Sequence, residues 1–459
     1  QQSVTFDGDF VSWKTGDIAI EWTFDSRISE DLIKAEIVSG PLTLIILALV
    51  FGSIVAAFLP IGVGIATVAA AMGMTIWLSN VTDVTQYATN IITLIGIGVS
   101  IDYSLFLVNR FREELAIGRD VRTAVAMSTA TAGKAVFFSG ITVAIGLMGM
   151  LFFKNTSLPS LGIGGTVAVS IAMVYSTIVL PAVMSILGKR VDKGKVPFAF
   201  NLEAREDGLW ANIANKVMAH PWKVLIPVLI LLVGAGAPFL YAEFSLSSWS
   251  ALPPDDESRL GKEMIDDTWP EQSSNQIFLV IELDGADVFE ENNLRAQYQY
   301  IRTQISDDRV LTANGIGLPD GSMNESQVVS FWQAPDEYLN ETEIALRNMI
   351  RDSFTNGDVT YIVLNLAGEQ TSVASRNVVE DIRDDRHILT DQLSGQNDYL
   401  AVAGFAAYNA DTLNSIAENL PTALAFIFIA TSILIFIQVR SVIIPIKAII
   451  MNILSVSAS

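Results

Sequence analysis

Asp102 and Tyr103 are adjacent residues in the middle of an apolar stretch, residues 91–108. The stretch is long enough and apolar enough to span a bilayer. A carboxylate at that depth costs about 2.5–3.5 kcal/mol on insertion scales, so intramembrane acids usually serve a function. A carboxylate there can bind and release a proton, with an affinity that depends on its surroundings. We therefore predict that Asp102 is a proton carrier whose affinity the Tyr103 hydroxyl can bias.

Two other roles remain open for Asp102. A neutral aspartic acid can serve as a hydrogen-bond anchor between helices, without moving protons. An intramembrane aspartyl protease would use it as one of two catalytic aspartates. Asp102 is the only acidic residue inside any predicted span, which disfavours the protease.

Small residues around Asp102 predict close helix packing. At 100° per residue, Gly98 shares a helix face with Asp102, whereas Gly96 and Ser100 lie on another face with Tyr103. Small residues at a spacing of four let neighbouring helices approach each other. We therefore expect Gly96, Gly98 and Ser100 to be packing positions.

A second stripe of small residues lies in a later apolar span, at about residues 134–153. Ser139, Thr142, Gly146 and Gly149 follow one another at spacings of 3, 4 and 3. The hydroxyl of Ser139 or Thr142 is a candidate to support the proton carrier. A simple packing seam explains the stripe equally well.

Apolar stretches recur along the chain and predict a polytopic membrane protein with one large polar domain. Hydrophobic residues make up 51% of the sequence and charged residues only 17%. Pro60 is expected to mark the turn between the first two spans. The predicted spans are about 37–58, 61–78, 91–108, 134–153, 161–187, 224–242 and 420–438, and an eighth apolar run begins near residue 442.

Acidic charge is concentrated in the polar region. The net charge of the chain is −21, and residues 251–410 carry 29 Asp and Glu against 10 Lys and Arg. This balance argues against binding of nucleic acid or of an anionic lipid surface. An acidic solvated surface explains it, and an acidic cation-binding face is the alternative.

Several classes of site are disfavoured by residue types that the sequence lacks. It contains no cysteine, which excludes a disulfide framework, thiol catalysis and cysteine metal sites. The two histidines, His220 and His387, fall outside the predicted spans, so no metal cluster is expected. No P-loop pattern occurs, so any transport must draw on an ion gradient. We predict no cofactor, no metal and no enzymatic activity.

Basic residues predict the orientation in the membrane. The loops at 110–126, 188–223 and 439–441 are basic and alternate so that they share one side. The positive-inside rule makes that side cytoplasmic. The loops at 80–87 and 154–158 and the polar domain then lie outside.

The polar region mixes strand and helix patterns. Strands are predicted at 277–281, 309–316, 359–366 and 399–403, and helices at 288–305, 341–355 and 373–394. Such alternation is typical of compact α+β modules of the ferredoxin-like type. The alternating runs at 4–6 and 18–24 predict that residues 1–30 end another β-containing domain.

The sequence resembles the MMPL-type branch of the resistance–nodulation–division (RND) transporter superfamily. The most similar stretches are GIGVSIDYSLFLVNRFREELAIGRD, residues 96–120, and AVAMSTATAGKAVFFSGITVAIGLM, residues 124–148. Residues 31–60 and 440–459 resemble equivalent helix–turn–helix steps in the two halves of that family. The resemblance implies a polytopic α-helical membrane protein with an RND-like pseudo-repeat and an extracytoplasmic α+β domain of ferredoxin-like, porter type.

The resemblance also implies a division of the chain. Residues 1–30 would end the first porter domain, 31–187 would be transmembrane helices two to six, 188–223 a cytoplasmic loop, 224–243 helix seven, 244–412 the second porter domain, 413–438 helix eight and 442–459 the start of helix nine.

In that family, the Asp-Tyr pair faces a second acidic pair on helix ten, and Asp102 and Tyr103 match the first pair. The resemblance therefore implies a proton relay in an exporter of lipids or other hydrophobic molecules, driven by the proton-motive force in the cytoplasmic (inner) membrane. It further implies homo-oligomeric, accessory membrane or periplasmic partners. The alternative is a non-transporting lipid-sensing or scaffold subunit.

Overall fold

The computed structural model describes residues 12–197, 209–242, 244–270 and 275–458. The chain divides into two compact units. One unit comprises the described parts of Gln1–Ser29 and Glu243–Asn414, and the other those of Glu30–Ala242 and Ser415–Ser459. We call them the polar unit and the helical unit.

Long apolar helices make up the helical unit. Seven helical segments of the described chain are long and apolar enough to cross a membrane, in agreement with the seven complete spans predicted. In chain order, the helices up to residue 236 are α1 (Asp17–Phe51), α2 (Ile54–Leu78), α3 (Tyr87–Ala116), α4 (Val121–Ser128), α5 (Lys134–Met148), α6 (Leu158–Val174), α7 (Leu180–Leu187), α8 (Leu209–Ala219) and α9 (Pro221–Gly236).

Two of the crossing segments each contain a π-helical turn. Thr129–Gly133 joins α4 to α5, and Tyr175–Val179 joins α6 to α7. Each pair of helices therefore forms one candidate span, Val121–Phe152 and Leu158–Asp192 respectively.

The turn between the first two spans lies at Gly52–Ser53, so its prediction at Pro60 is wrong. Gly52 adopts a φ of 65°, which glycine tolerates without a steric cost. The Ser53 side chain then accepts a hydrogen bond from the backbone N–H of Ala56 and so caps α2. Pro60 lies inside α2. The break thus follows local capping chemistry rather than the proline.

Residues 18–24 are helical, which corrects the predicted β structure there. The Thr23 hydroxyl donates to the Ala19 carbonyl at 2.8 Å and contacts the Ser258 hydroxyl at 2.9 Å. A short alternating run cannot by itself distinguish a strand from the start of a long helix. The other run, at 4–6, lies outside the described residues.

The polar unit holds a sheet with short helices around it. Its helices are α10 (Glu257–Thr268), α11 (Glu291–Ile305), α12 (Glu325–Gln333), α13 (Glu341–Phe354), α14 (Val373–Asp384) and α15 (His387–Thr390), and its strands are β1 (Gln276–Glu282), β2 (Val310–Asn314), β3 (Thr355–Asn356), β4 (Val359–Leu366) and β5 (Tyr399–Gly404). All strands pair antiparallel, in the order β2-β4-β1-β5, and β3 pairs with β4.

One face of this sheet packs against the helices to form the hydrophobic core of the polar unit. Ile277, Leu279 and Ile281 of β1 alternate inward and are fully buried. They join one apolar cluster with Leu294 of α11 and Val379 of α14. The patterns thus predicted the four main strands, whereas α10 and α12 were not predicted and the helix expected at 373–394 is divided into α14 and α15.

The last two helices resemble the first two in the length of the leading helix and in the turn between them. α16 (Phe405–Val439) is 35 residues long, like α1, and α17 (Ile443–Ala458) follows it. α1 is followed by Gly52–Ser53 and α16 by Arg440–Ser441, and Gly52 and Arg440 both have positive φ angles, 65° and 54°. The two helix pairs thus share the length of their first helix and a positive φ angle in the turn.

Candidate functional site

The helix that carries Asp102, α3, packs against α2 and α6. Small residues make this contact close. A Cβ built on Gly64 of α2 would lie 3.7 Å from Cα of Ile97, and one built on Gly164 of α6 would lie 3.0 Å from Cβ and O of Ala88. Gly96 is buried, with Val68 and Ala168 as its neighbours. Gly96 thus occupies a packing position.

Buried hydroxyl groups line the same face of α3. The Ser100 Oγ donates a hydrogen bond of 3.0 Å to Thr67 Oγ1, and both residues are fully buried. Ser104, and Ser176 in the π turn between α6 and α7, are also fully buried, and their hydroxyls have no hydrogen-bond partner within the described ranges. α3 therefore turns a polar seam, rather than a purely apolar face, towards its neighbours.

Asp102 lies on the opposite side of α3 and is exposed in this chain. It belongs to a stripe at a spacing of four with Leu94, Gly98 and Phe106, all of them exposed. We call these four residues the open stripe. A carboxylate flanked by Leu94 and Phe106 cannot face lipid hydrocarbon at low cost. The open stripe therefore requires a cover of protein or water in the membrane.

Tyr103 lies about 100° around α3 from Asp102 and faces the interior of the helical unit. It is buried in a cluster with Leu107 and Phe111. Its hydroxyl interacts with Ser139, although the two groups do not meet hydrogen-bond geometry and the Tyr103 hydroxyl has no hydrogen-bond partner in the described part of the chain. The structure thus brings Tyr103 and Ser139 together, and it leaves Asp102 exposed but within electrostatic range of Tyr103.

Thr142 and Gly98 are placed differently from the packing and support roles expected of them. The Thr142 hydroxyl donates to the Phe138 carbonyl of its own helix at 2.8 Å. Nothing lies within 4 Å of a Cβ built on Gly98, because Gly98 is part of the open stripe. Among the described residues, Gly98 is therefore not a packing contact.

The two π turns both contact α3. Thr129–Gly133 and Tyr175–Val179 interrupt the regular hydrogen-bond ladders of their helices. π turns are rare and occur frequently at functional sites. Sequence reasoning did not find them, because no residue pattern distinguishes a π turn from an α-helix.

A buried carboxylate, Glu114, lies near the C-terminal end of α3 and was also missed. Its side chain is only 1% exposed and pairs with Arg110, whose Nη2 is 2.6 Å away, and with Arg119. A buried charge is tolerated when it is paired in this way. Residues 110–126 were predicted to be a basic loop, which gave no reason to expect a buried carboxylate there.

Further contacts fix the same end of α3. Arg112 Nε donates to Asp192 Oδ1 at 2.7 Å, just after α7. The Ser53 hydroxyl interacts with the carbonyls of Val191 and Lys193 at 2.7 and 2.9 Å. The ends of α1, α3 and α7 therefore meet on one side of the helical unit.

No group of three or more potential metal ligands occurs among the residues that the structure describes. The site therefore offers one intramembrane carboxylate, a buried phenol and a seam of hydroxyls. These groups can bind, hold and release protons, and they supply no nucleophile–base pair of the kind that covalent catalysis needs.

Comparison with known proteins identifies relatives over nearly the whole chain. The model of the MMPL family matches residues 15–224 and 250–459. The trehalose monomycolate exporter MmpL3 of Mycolicibacterium smegmatis is 28% identical over 460 residues, which cover 94% of this chain and 42% of that protein. The mycolic acid-containing lipids exporter MmpL11 of the same organism is 27% identical over 431 residues, covering 94% and 41%. The chain thus spans less than half the length of these relatives.

A solved structure shares the fold. The hedgehog release protein Disp of the water bear Hypsibius dujardini superimposes with a TM-score of 0.59 at 12% identity, over 90% of this chain and 55% of that one. The relatives are named as exporters rather than enzymes, in agreement with the expectation of a non-enzymatic protein. The chain belongs to the MMPL family of the RND superfamily and is a multi-pass membrane protein.

Proposed function

We propose that this chain is part of an exporter of lipids or other hydrophobic molecules, driven by the proton-motive force in the cytoplasmic (inner) membrane. The observation that carries the proposal is Asp102, the single acidic residue inside the apolar spans predicted from the sequence, which lies at mid-length of α3 on the open stripe. Relatives that match along most of the chain are named as lipid exporters.

Asp102 would couple proton movement to conformation through its charge. The ionised carboxylate needs water or a polar partner at this depth, whereas the protonated form tolerates an apolar cover. Binding a proton therefore changes which cover of the open stripe is stable. A ligand shifts an equilibrium between two conformations by as much as its affinities for them differ. A proton that binds from one side of the membrane and leaves on the other can then drive a cycle.

The packing around α3 favours a fixed position for the helix that carries this carboxylate. α2 and α6 hold the other face of α3 through Gly96 and the Ser100–Thr67 hydrogen bond. Movement is then favoured on the open side, where Asp102 lies. The curated relatives extend well beyond the matched length, so we propose that the full-length protein places a second acidic group against the open stripe.

Tyr103 is proposed as the partner of Asp102 in the relay, acting from the buried side of α3. Its hydroxyl is the group nearest in sequence to the carboxylate, and it lies close to Ser139. Ser139 is therefore the better candidate for relay support, because the Thr142 hydroxyl is already bonded within its own helix.

We propose that the polar unit lies on the periplasmic or extracellular side and handles the substrate. The Arg112–Asp192 pair supports this orientation, because it joins two of the basic segments, 110–126 and 188–223, at one end of the helical unit. The positive-inside rule favours the cytoplasm for that end. The strand order β2-β4-β1-β5 supports a ferredoxin-like, porter-type module.

Proton uptake by the full-length protein in liposomes tests the proposal. Under an imposed pH gradient, we expect uptake by the unmodified protein, loss of uptake in Asp102→Asn, and full uptake in Asp83→Asn, which removes an exposed carboxylate from the loop before α3. If all three folded proteins are equally silent, proton coupling is wrong. A lipid-sensing or scaffold subunit then becomes the better explanation.

A further inference from the structure

The polar unit contains a cavity of about 420 Å³ beside the positions of β1 and β4 that alternate with the buried ones. Residues Phe278, Tyr361 and Val363 project from β1 and β4 into it, between the buried positions of those strands. The last turn of α13 closes one side with Ile350 and Phe354. Sites for small molecules in proteins commonly have volumes of about 300–1,000 Å³, so the cavity is large enough for a ligand.

Aromatic rings form one wall of the cavity. The rings of Phe278 and Tyr361 lie 6.1 Å apart, and those of Phe354 and Tyr361 lie 4.9 Å apart. The Tyr361 hydroxyl donates to the Ser353 carbonyl at 2.9 Å, which fixes the orientation of its ring. Such a wall offers flat apolar area with electron-rich faces. It suits a ligand with an apolar face of polarised C–H groups.

Amide side chains lie at the other end. Gln276, Asn314 and Asn365 all line the cavity. Asn365 is only 5% exposed, and its Nδ2 donates to Thr312 Oγ1 at 2.6 Å. Its Oδ1 has no hydrogen-bond partner among the described residues. A buried acceptor without a partner is unfavourable, so this end of the cavity favours a ligand that donates a hydrogen bond.

The cavity carries no charged side chain in its described lining, although the surrounding region has 29 acidic residues against 10 basic ones. The uncharged lining provides no counter-ion for a charged ligand. The acidic surface repels anions in particular. The ligand that fits best is therefore uncharged, donates hydrogen bonds at one end and has an apolar face.

We propose that this cavity binds an uncharged, hydroxylated ring of the sugar type, with its C–H face on Tyr361 and Phe278 and a hydroxyl donating to Asn365 Oδ1. The ring is either a free sugar or the headgroup of a glycolipid. The role of this cavity as a substrate site rests on the export function proposed above, whereas the binding of the ring does not.

Binding to the full-length protein in nanodiscs tests this proposal. The probes are hexyl β-D-glucoside, free glucose and hexyl sulfate, each followed by saturation-transfer NMR and by titration calorimetry. We expect hexyl glucoside to bind and hexyl sulfate not to bind. Binding of free glucose as well would identify a sugar site sufficient by itself, and binding of the glucoside alone would identify a glycolipid headgroup.

Three variants locate the binding. Asn365→Leu removes the buried acceptor and should weaken hexyl glucoside at least tenfold. Val363→Trp fills the cavity from a half-buried position and should abolish binding. This variant tests the location of the binding site even if Asn365→Leu does not fold. Gln392→Leu removes an exposed amide whose Nε2 bonds to the Ile388 carbonyl of its own segment, and should bind like the unmodified protein.

The proposal is overturned if no probe binds, if hexyl sulfate binds as well as the glucoside, or if folded Asn365→Leu and Val363→Trp both bind normally. A water molecule on Asn365 would then be the simplest occupant of the cavity. Asp102→Asn separates this outcome from the export function, because it should lose proton uptake and retain the binding of hexyl glucoside.

Discussion

Ser100 and Thr67 join α3 to α2 through a hydrogen bond of 3.0 Å between two fully buried hydroxyls. Double-mutant cycles give hydrogen bonds between membrane helices an average of about 0.6 kcal/mol and at most about 1.7 kcal/mol. We expect Ser100→Ala and Thr67→Val each to lower the free energy of unfolding by about this amount in mixed micelles. The double variant should lose less than the sum, because the two residues share one bond.

Thr89→Val is the matched control for this pair. Thr89 is exposed at the start of α3, and its hydroxyl donates to the Gln86 carbonyl of the same segment. Its replacement should change the free energy of unfolding by less than about 0.5 kcal/mol. Strictly additive losses at Ser100 and Thr67 would show that the hydrogen bond contributes nothing to stability.

Glu114 is expected to contribute more to the stability of the helical unit than its neighbour Glu113, although both pair with Arg110. Glu114 is 1% exposed, whereas the Glu113 side chain is 63% exposed. Glu114→Gln should therefore destabilise the helical unit by about 1–3 kcal/mol, the usual cost of leaving a buried group without its partner. Glu113→Gln removes an exposed pair, which contributes about 0–1 kcal/mol.

Thermal and denaturant unfolding of the two glutamine variants checks this prediction. Raised salt should reduce the effect of Glu113→Gln and leave most of the effect of Glu114→Gln, because buried pairs are screened less. Equal losses in both variants would contradict the buried ion-pair cluster.

Gly164 should not tolerate a side chain. A Cβ there would lie 3.0 Å from both Cβ and O of Ala88, and the backbone of α3 cannot move away as a flexible side chain would. Gly164→Val should therefore separate α6 from α3, at a cost of about 1–3 kcal/mol for overpacking. Gly73→Val, at a helix position with nothing within 4 Å, is the control, and comparable unfolding of both variants would refute the close contact.

Gly98 tests whether something covers the open stripe in the full-length protein. No described residue lies within 4 Å of a Cβ at this position, so within this chain a larger residue has room. If a further part of the protein packs there, Gly98→Leu should lower proton uptake severalfold without unfolding α3. The same substitution at Gly73 should leave uptake unchanged, and normal uptake by Gly98→Leu would show that the stripe faces lipid or open water.

The buried phenol of Tyr300 is expected to make the stability of the polar unit depend on pH in the alkaline range. Burial of its phenol, with a smaller effect of Asp385, raises the pKa of Tyr300 from 10.0 to about 12. The folded state therefore retains the proton more tightly than the unfolded state does. Its contribution to stability is complete below pH 10 and decreases as the pH rises from 10 to about 12. Unfolding curves at several pH values should show this decrease in the unmodified protein and a smaller one in Tyr300→Phe. The same pH dependence in both proteins would contradict the assignment to Tyr300.

Much of the fold could be predicted because its signals are local. Apolar length alone indicates a membrane span, and alternation in residues 277–281 and 359–366 indicates strands. The break after α1 was misplaced, because a proline such as Pro60 is a stronger signal in sequence than Gly52–Ser53. Helix caps depend on one φ angle and one hydrogen bond, which composition does not reveal.

The sequence by itself determined that Asp102 lies inside an apolar span, because residue order and hydropathy are sufficient for that conclusion. Helical periodicity also placed Gly98 beside Asp102 and Gly96 beside Ser100. Only the tertiary structure decided which of these two faces is covered, because that depends on where α2 and α6 pack. It turned Tyr103 inward and left Asp102 on the open stripe, and it buried Glu114 by bringing Arg119 back across the end of α3. Burial is a property of the assembled helices, and contacts between distant segments create it.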